Sequence, residues 1–300
     1  MAEPGARESR AGASQPRPRV IYIMGAGRSG STVLGVTLGN CSELFYAGEL
    51  DAWLARSGLP QLQDEPRLRF WEGVRERIPA AAPLFGRRAE RSIERSASLF
   101  RVRSWGERRA LRRPYREVAE SLYRTLSDAT GAPVIVDSSH YPLRARELQR
   151  IAGIELYLLF LIRDPQSVVA SFNRKDVAQY NKSTLTTNVY LWLTHVLAAW
   201  VFLAQPRQRR MVVRYEDFAA APAEVIGDVI ERVGAAAPLP DFSELHTGLA
   251  FQGNRLIGTP TIALSSPQAG SGARSPVTAL LQAPLGALLA RLGPVAGGRG

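Results

Sequence analysis

The sequence predicts a three-layer α/β fold, a central parallel sheet flanked by helices, and three observations carry that expectation. Short apolar runs rich in branched and aromatic residues recur along the chain, helical patterns lie between them, and the first run leads directly into a glycine-rich turn. Strands covered on both faces read as continuous apolar runs, and strands alternating with helices are the pattern of parallel sheets. Three hundred residues suit one large domain, or a domain with an appended subdomain, and 45% hydrophobic residues are enough to bury a sizeable core.

The first run is VIYIMGAGRSGSTVLGVTLGN, residues 20–40. Val20 to Met24 reads as a buried strand, Gly25 to Gly30 as a turn poor in side chains, and Ser31 onward as a helix. A chain in that order builds a cradle for phosphate: backbone N–H groups point inward, the helix N-terminus adds partial positive charge, and glycine lets an anion approach. Gly25 and Gly30 fit the G-x-x-x-x-G-K-[ST] pattern, but Ser31 holds the lysine position and Thr32 follows it. The γ-phosphate of a nucleoside triphosphate would therefore lack its main cationic partner. A cation stands earlier instead, at Arg28. The turn is P-loop-like but miswired for ATP, and the fold class is accordingly P-loop NTPase-like. Two glycines alone would fit an ordinary strand–turn–helix corner; Arg28, Ser29, Ser31 and Thr32 favour the cradle.

Further strands are expected in PVIVD (133–137), LYLLFLI (156–162) and around Met211 to Val213 in RMVVRYEDF, with helices over Tyr115–Thr130, Pro142–Ile151 and Pro165–Ala178. In open α/β sheets ligands sit beyond the carboxyl ends of the strands. Arg28, Asp137 to His140, Arg163 and Tyr215 all follow strands. Residues 58–116 read as an arginine-rich helical insert: between Arg87 and Arg116 eleven arginines face three glutamates. A solvated helical face is the ordinary meaning of such a run, and an acceptor-binding lid is the functional one. Residues 1–18 and 265–300 read as a disordered N-terminal tail and a low-complexity C-terminal tail. Val277 to Leu292 in the latter has the pattern of an amphipathic helix interrupted at Pro284. No internal repeat is apparent.

Formal charge is +11, carried by thirty-six arginines and two lysines. That suits an anionic cofactor or acceptor. No zinc spacing, RNA-binding aromatic signature or basic zipper supports nucleic acid as a partner. Cys41 is the single cysteine, which excludes an intrachain disulfide and suits a reducing compartment. The first residues show no apolar signal region, and a cytoplasmic location is expected. Ser183 to Ala204 is long enough to span a bilayer and carries no charge, His195 being taken as neutral. Its first half, however, holds Ser183, Thr184, Thr186, Thr187, Asn188 and Thr194, so a helix buried in the α/β core is expected rather than a membrane span.

LIRDPQSVVASFNR places Arg163 in a turn after a strand and Ser171 two helical turns up from Pro165. Together with GAGRSGST, this resembles the signature pair of sulfotransferases that use 3′-phosphoadenosine 5′-phosphosulfate (PAPS). VRYEDF (213–218), GNR (253–255) and VDSSHYP (136–142) resemble further motifs of that family, so the resemblance runs from about Arg19 to Arg255 and outlines a sulfotransferase domain over 19–264. It implies PAPS as donor, adenosine 3′,5′-bisphosphate as product, and a hydroxyl or amine acceptor, with no metal. It also implies that Arg28, Ser29, Gly30, Ser31 and Thr32 hold the 5′-phosphosulfate, that Arg163 and Ser171 hold the 3′-phosphate, and that Tyr215 and Arg255 belong to the nucleotide site. Where the family commonly has lysine after the paired serines, this chain has His140.

A base must take the acceptor's proton. Glu49, in FYAGELDAW, lies 21 residues after Arg28, the interval at which the protein-tyrosine and bacterial branches of the family place a catalytic glutamate. His140 follows a strand as the histidine of cytosolic branches does, and neutral imidazole suits proton transfer. Glu49 is the preferred base, with His140 donating to the bridging oxygen or the transferring group. The bland alternatives are a helix-start carboxylate for Glu49 and a turn residue for His140. Asp137 also reads as a Walker B aspartate, but a structural role, bonding the first loop or its own turn, is preferred. His195 reads as a core histidine. Two other function classes stay open: a divergent P-loop kinase, in which Arg28 would replace the lysine, and a non-catalytic nucleotide-binding relative. The second is suggested by the run TPTIALSSPQAGSGARSP after GNR, where the family continues into a charged, tryptophan-containing helix.

Overall fold

The computed structural model describes residues 16–173, 183–264, 275–289, 292 and 296–297. Five strands, β1 (Arg19–Gly25), β2 (Leu44–Gly48), β3 (Val134–His140), β4 (Glu155–Ile162) and β5 (Arg210–Arg214), form one sheet in the order β2-β3-β1-β4-β5. Every neighbouring pair in it is parallel. β1 is central and almost wholly buried, as its unbroken apolar run requires. The chain leaves β1 toward one side, returns through β3, and then continues to β4 on the other side. The carboxyl end of β1 is therefore the point where connections diverge, and a crevice opens there.

Helices cover both faces. In chain order they are α1 (Ser31–Gly39), α2 (Asp51–Ala55), α3 (Glu65–Glu76), α4 (Arg103–Thr130), α5 (Pro142–Leu148), α6 (Pro165–Phe172), α7 (Thr184–Leu203), α8 (Tyr215–Ala220), α9 (Pro222–Val233) and α10 (Pro276–Leu289). The alternating side chains of β1 divide the core. Val20, Tyr22 and Met24 pack with α4, α5 and α7, whereas Ile21 and Ile23 pack with α1 and α9. A two-stranded antiparallel ribbon, β6 (Leu245–His246) with β7 (Thr261–Ile262), lies outside the main sheet.

The expected strands are found, and several helices differ from expectation for visible reasons. α4 starts twelve residues before Tyr115 and runs through Pro114. Its inner face, from Leu111 through Tyr115, Val118, Leu122 and Leu126, is buried and outweighs the hydrogen bond that proline removes. The arginine run is neither one solvated face nor one lid. Arg112 and Arg116 ion-pair with the fully buried Glu147 of α5, with Arg108 nearby at 3.8 Å, whereas Arg88 pairs with Glu107 at the surface. Of the helix expected over Pro165–Ala178, α6 accounts for 165–172, and residues 174–178 lie outside the described residues, as do residues 1–15 and 265–274 of the two tails.

α10 is docked rather than tail-like. It runs through Pro284, and Trp192 Nε1 donates to the Leu281 carbonyl at 2.6 Å while Leu285 and Leu289 are buried. Beyond it, the Ala296 N–H donates to the Val212 carbonyl on β5. α7, expected to lie inside the core, is buried on one side only. Among the described residues it is the one helix long and apolar enough to cross a membrane, and half of it is packed inside the fold.

Beneath the crevice lies a buried polar network. Arg144 of α5 reaches Glu94 at 2.9 Å, Tyr115 at 2.6 Å, and Asp137 Oδ2 at 3.2 Å, and Tyr123 donates to the same Asp137 oxygen at 2.6 Å. The other Asp137 oxygen accepts the Ser139 N–H at 2.9 Å, so Asp137 ties down its own turn, the structural role expected of it. Removing one member strands the others without solvent. Arg144→Ala should lower the unfolding free energy by about 3–5 kcal/mol in urea titrations, more than Arg113→Ala, whose exposed pair with Glu117 contributes little.

Candidate functional site

A cavity of about 750 Å³ opens at the carboxyl ends of β1 and β3. Its floor is the turn after β1. Arg28 and Gly30 there have φ of 70° and 99°, and alternating backbone hands of this kind turn successive N–H groups to one side as an anion nest. Glycine is required at Gly30 for a second reason: a Cβ would enter the Tyr215 ring. α1 begins at the next residue with no side-chain cap, so its first N–H groups are left for a ligand.

Three side chains from distant parts of the sequence fix this turn. Tyr190 of α7 accepts the Gly27 N–H at 2.8 Å, Arg28 Nε donates to Ser171 Oγ of α6 at 3.0 Å, and Arg163 Nη1 donates to the Arg28 carbonyl at 3.2 Å. The Arg163 guanidinium also lies over the Tyr215 ring, 4.4 Å from its centre. That stacking holds the cation at the crevice and presses Tyr215 beneath Gly30. Among the described residues, Arg163 Nε and Ser29 Oγ are buried polar atoms with no hydrogen-bond partner.

The opposite wall comes from β2 and a returning segment. Gln252 accepts the Glu49 N–H through its carbonyl at 2.8 Å and donates from its side chain to Glu49 Oε2 at 3.3 Å. The segment is anchored from behind by Trp71, whose Nε1 donates to the Leu249 carbonyl at 2.8 Å, and by Phe251 packed on the Trp71 ring. Asn254 N–H then approaches Thr32 Oγ1 at 3.4 Å, which brings the GNR motif beside the turn.

Burial acts in opposite senses on the two candidate proton-transfer groups. It raises the pKa of Glu49; the Gln252 hydrogen bond holds it down, the Asp137 charge raises it further and the Arg28 charge lowers it. Burial pushes His140 down to about 4, and the nearby Arg95 guanidinium adds to the effect. His140 is thus neutral at ordinary pH. It ends β3 with φ 49° and its ring lies against Tyr141.

Of the residues singled out in the sequence, Arg28, Gly30, Ser31, Thr32, Glu49, His140, Arg163, Ser171 and Tyr215 line this one cavity. Ser29 is fully buried beneath it. Arg255 is exposed and does not line the cavity, because the one-turn helix that begins at it turns the chain away. One structural relation differs from the assigned roles: Arg28 and Ser171, given to opposite ends of the ligand, are hydrogen-bonded to each other. Sequence reading did not find Arg56, Gln61, Arg95, Tyr141, Tyr190 and Gln252, which also line the cavity. Tyr190 had one signal, a hydroxyl at a position of an apolar helix that could face inward; the others carry no local pattern. Among the described residues no group of three or more His, Cys, Asp or Glu is arranged to hold a metal.

The model of the Sulfotransferase family matches residues 18–238. The chain therefore belongs to the sulfotransferase family. No curated protein matches the sequence. Among solved structures, the chain is similar to a sulfotransferase domain from the curacin biosynthetic pathway, with 17% identity and a TM-score of 0.53 over 90% of this chain and 98% of that one. It is also similar to the sulfotransferase domain of the olefin synthase of Synechococcus PCC 7002, with 18% identity and a TM-score of 0.54 over 91% of this chain and 96% of that one. At such identity the likeness establishes the fold: a parallel sheet, flanked by helices, of the P-loop type.

Gly30→Ala should disorder the turn, because the new methyl group both opposes a positive φ and meets the Tyr215 ring. A melting temperature several degrees below wild type is expected, whereas Gly73→Ala, where nothing lies within 4 Å, should leave it unchanged or raise it.

Proposed function

We propose that the protein moves a sulfuryl group from PAPS to a hydroxyl or amine of an acceptor and releases adenosine 3′,5′-bisphosphate. The observation that carries this reading is the meeting, in one cavity, of two motifs 135 residues apart: Arg163 bonded to the Arg28 carbonyl, and Arg28 bonded to Ser171. The charges agree with it. Among the described residues, Arg28, Arg56, Arg95 and Arg163 line the cavity against one carboxylate, that of Glu49, a surplus suited to a polyanionic nucleotide.

In this reading the N–H groups of the turn and of the start of α1 receive the 5′-phosphosulfate, while Arg163 and Ser171 receive the 3′-phosphate. Arg28, reaching from the turn to Ser171, bridges the two. A sulfuryl group bears less negative charge than a phosphoryl group, so arginine and backbone donors supply much of the stabilisation that a lysine and a divalent ion supply in nucleotide triphosphatases. The acceptor oxygen or nitrogen attacks sulfur in line with the bridging oxygen. The sulfur–oxygen bond to the 5′-phosphate breaks, and its electron pair leaves with the bisphosphate. Glu49 takes the acceptor's proton. His140, neutral, donates an N–H hydrogen bond to the transferring group or the bridging oxygen. Alignment provides a large part of the rate in a loose transition state of this kind.

Calorimetry with adenosine 3′,5′-bisphosphate tests the donor site. Wild type should bind it, and Arg163→Ala should weaken binding roughly 10- to 100-fold, the loss of a charge-assisted contact. Wild type that ignores the bisphosphate and binds ATP with Mg²⁺ would instead support a kinase.

Glu49→Gln should keep bisphosphate affinity and lose about 10²- to 10⁴-fold in transfer rate. As a base Glu49 works deprotonated, so the rate should rise with pH through its raised pKa. Gln252→Leu removes a hydrogen bond that favours the carboxylate and should move that rising limb to higher pH. His140 titrates near 4 and should add no limb in the neutral range.

A further inference from the structure

Six large apolar side chains stand out of α7 into solvent: Leu185, Val189, Leu193, Val196, Trp200 and Leu203, each between 43% and 62% exposed. They recur at intervals of four, four, three, four and three residues, which places them on one stripe along the helix. Thr186 is the one polar side chain among the exposed positions of α7, and the helix carries no Asp, Glu, Lys or Arg. Together the six present on the order of 600 Å² of apolar surface, the upper end of what a monomer exposes in one patch. The segments outside the described residues bring only Met1, Val177, Tyr180 and Val295 as large apolar residues, too few to cover six.

We propose that this stripe docks against the same stripe of a second copy, α7 lying antiparallel to α7 about a two-fold axis between Leu193 and Val196. Reversing the stripe about a point between Leu193 and Val196 brings Val189 to Trp200 and Leu193 to Val196 in register, and Leu185 to within one residue of Leu203. A two-fold contact demands this self-complementarity, and the smaller valine opposite tryptophan fills the space that two tryptophans would contest. From Val189 to Leu203 the intervals run four, three, four and three, the spacing of helices that interdigitate along a shared seam. The area reaches the small end of specific interfaces, which bury about 1,200–2,000 Å² over both partners.

Charge supports the choice of this face. Two copies each bearing +11 repel, and contact through an uncharged helix keeps their arginines apart. Arg146, whose guanidinium lies over the Trp200 ring, 4.3 Å from its centre, becomes part of the rim. This inference does not depend on the reaction proposed above.

Sedimentation velocity of the full chain tests it, and the expected mass is twice the 32.8 kDa of one chain. A Leu193→Glu/Val196→Glu variant should sediment as one chain with an unchanged far-ultraviolet circular dichroism spectrum. Should that variant fail to fold, a Leu193→Cys/Val196→Cys variant decides: oxidation should give a covalent dimer on a non-reducing gel, which Leu239→Cys, exposed elsewhere, should not. Wild type at single-chain mass overturns the proposal. So does a dimer that survives the double glutamate substitution, or one whose cysteines do not cross-link. A single chain that pellets with phosphatidylglycerol vesicles assigns the stripe to lipid instead.

Discussion

The turn between β1 and α1 is where the molecule has least freedom. Gly25 sits where a Cβ would strike the Leu161 carbonyl of β4, and Gly30 sits where one would strike Tyr215. Between them the backbone adopts positive φ at Arg28 and Gly30. That geometry is stable only because α6, α7 and the start of α8 each give it a partner: Ser171, Tyr190 and the Tyr215 ring capped by Arg163. The shape of the turn is thereby held by crowding from three helices rather than by the loop itself, and the proposal gives that turn the part of an anion-binding nest.

The same crowding sets the electrostatics of the opposite wall. Glu49 is enclosed by the returning segment, which raises its pKa, yet Gln252 and Arg28 keep its charged form accessible. His140 is enclosed beside Arg95, and the Ser138 backbone and the Asp137 charge offset that only in part, so it is neutral. Two titratable groups in one cavity are thus shifted in opposite senses by burial and their immediate partners, as the proposed base and hydrogen-bond donor would require. Arg95, which depresses His140 further, comes from the arginine-rich insert, so the insert reaches the cavity even though much of its charge is spent on Glu90, Glu107 and Glu147.

The central strand, its turn and the residues after β3, β4 and β5 were legible in the sequence because their signals are local. Apolar runs mark strands, and polar residues directly after them mark the crevice. The partners of those residues were not legible. Tyr190 and Gln252 lie 163 and 203 residues from the atoms they bond, Gly27 and Glu49, and chain folding alone brings them together. Arg255 shows the converse: it shares a motif with Gly253 and Asn254, but one turn of helix carries it away from the cavity. For α7 the local signal was ambiguous, since an uncharged apolar helix reads alike whether buried, spanning a membrane or half-covered. Periodicity told the faces apart only when the packed side was known. Its inner face holds the turn through Tyr190, and its outer face remains apolar.

A crystal structure of the complex with adenosine 3′,5′-bisphosphate tests the central claim most directly, that one nucleotide spans the turn and the Arg163–Ser171 pair. The account predicts the 5′-phosphate within hydrogen-bond reach of the N–H groups of residues 27–32 and the 3′-phosphate between Arg163 and Ser171. A nucleotide bound with its 5′-phosphate away from the turn, or with neither Arg163 nor Ser171 on the 3′-phosphate, would contradict it.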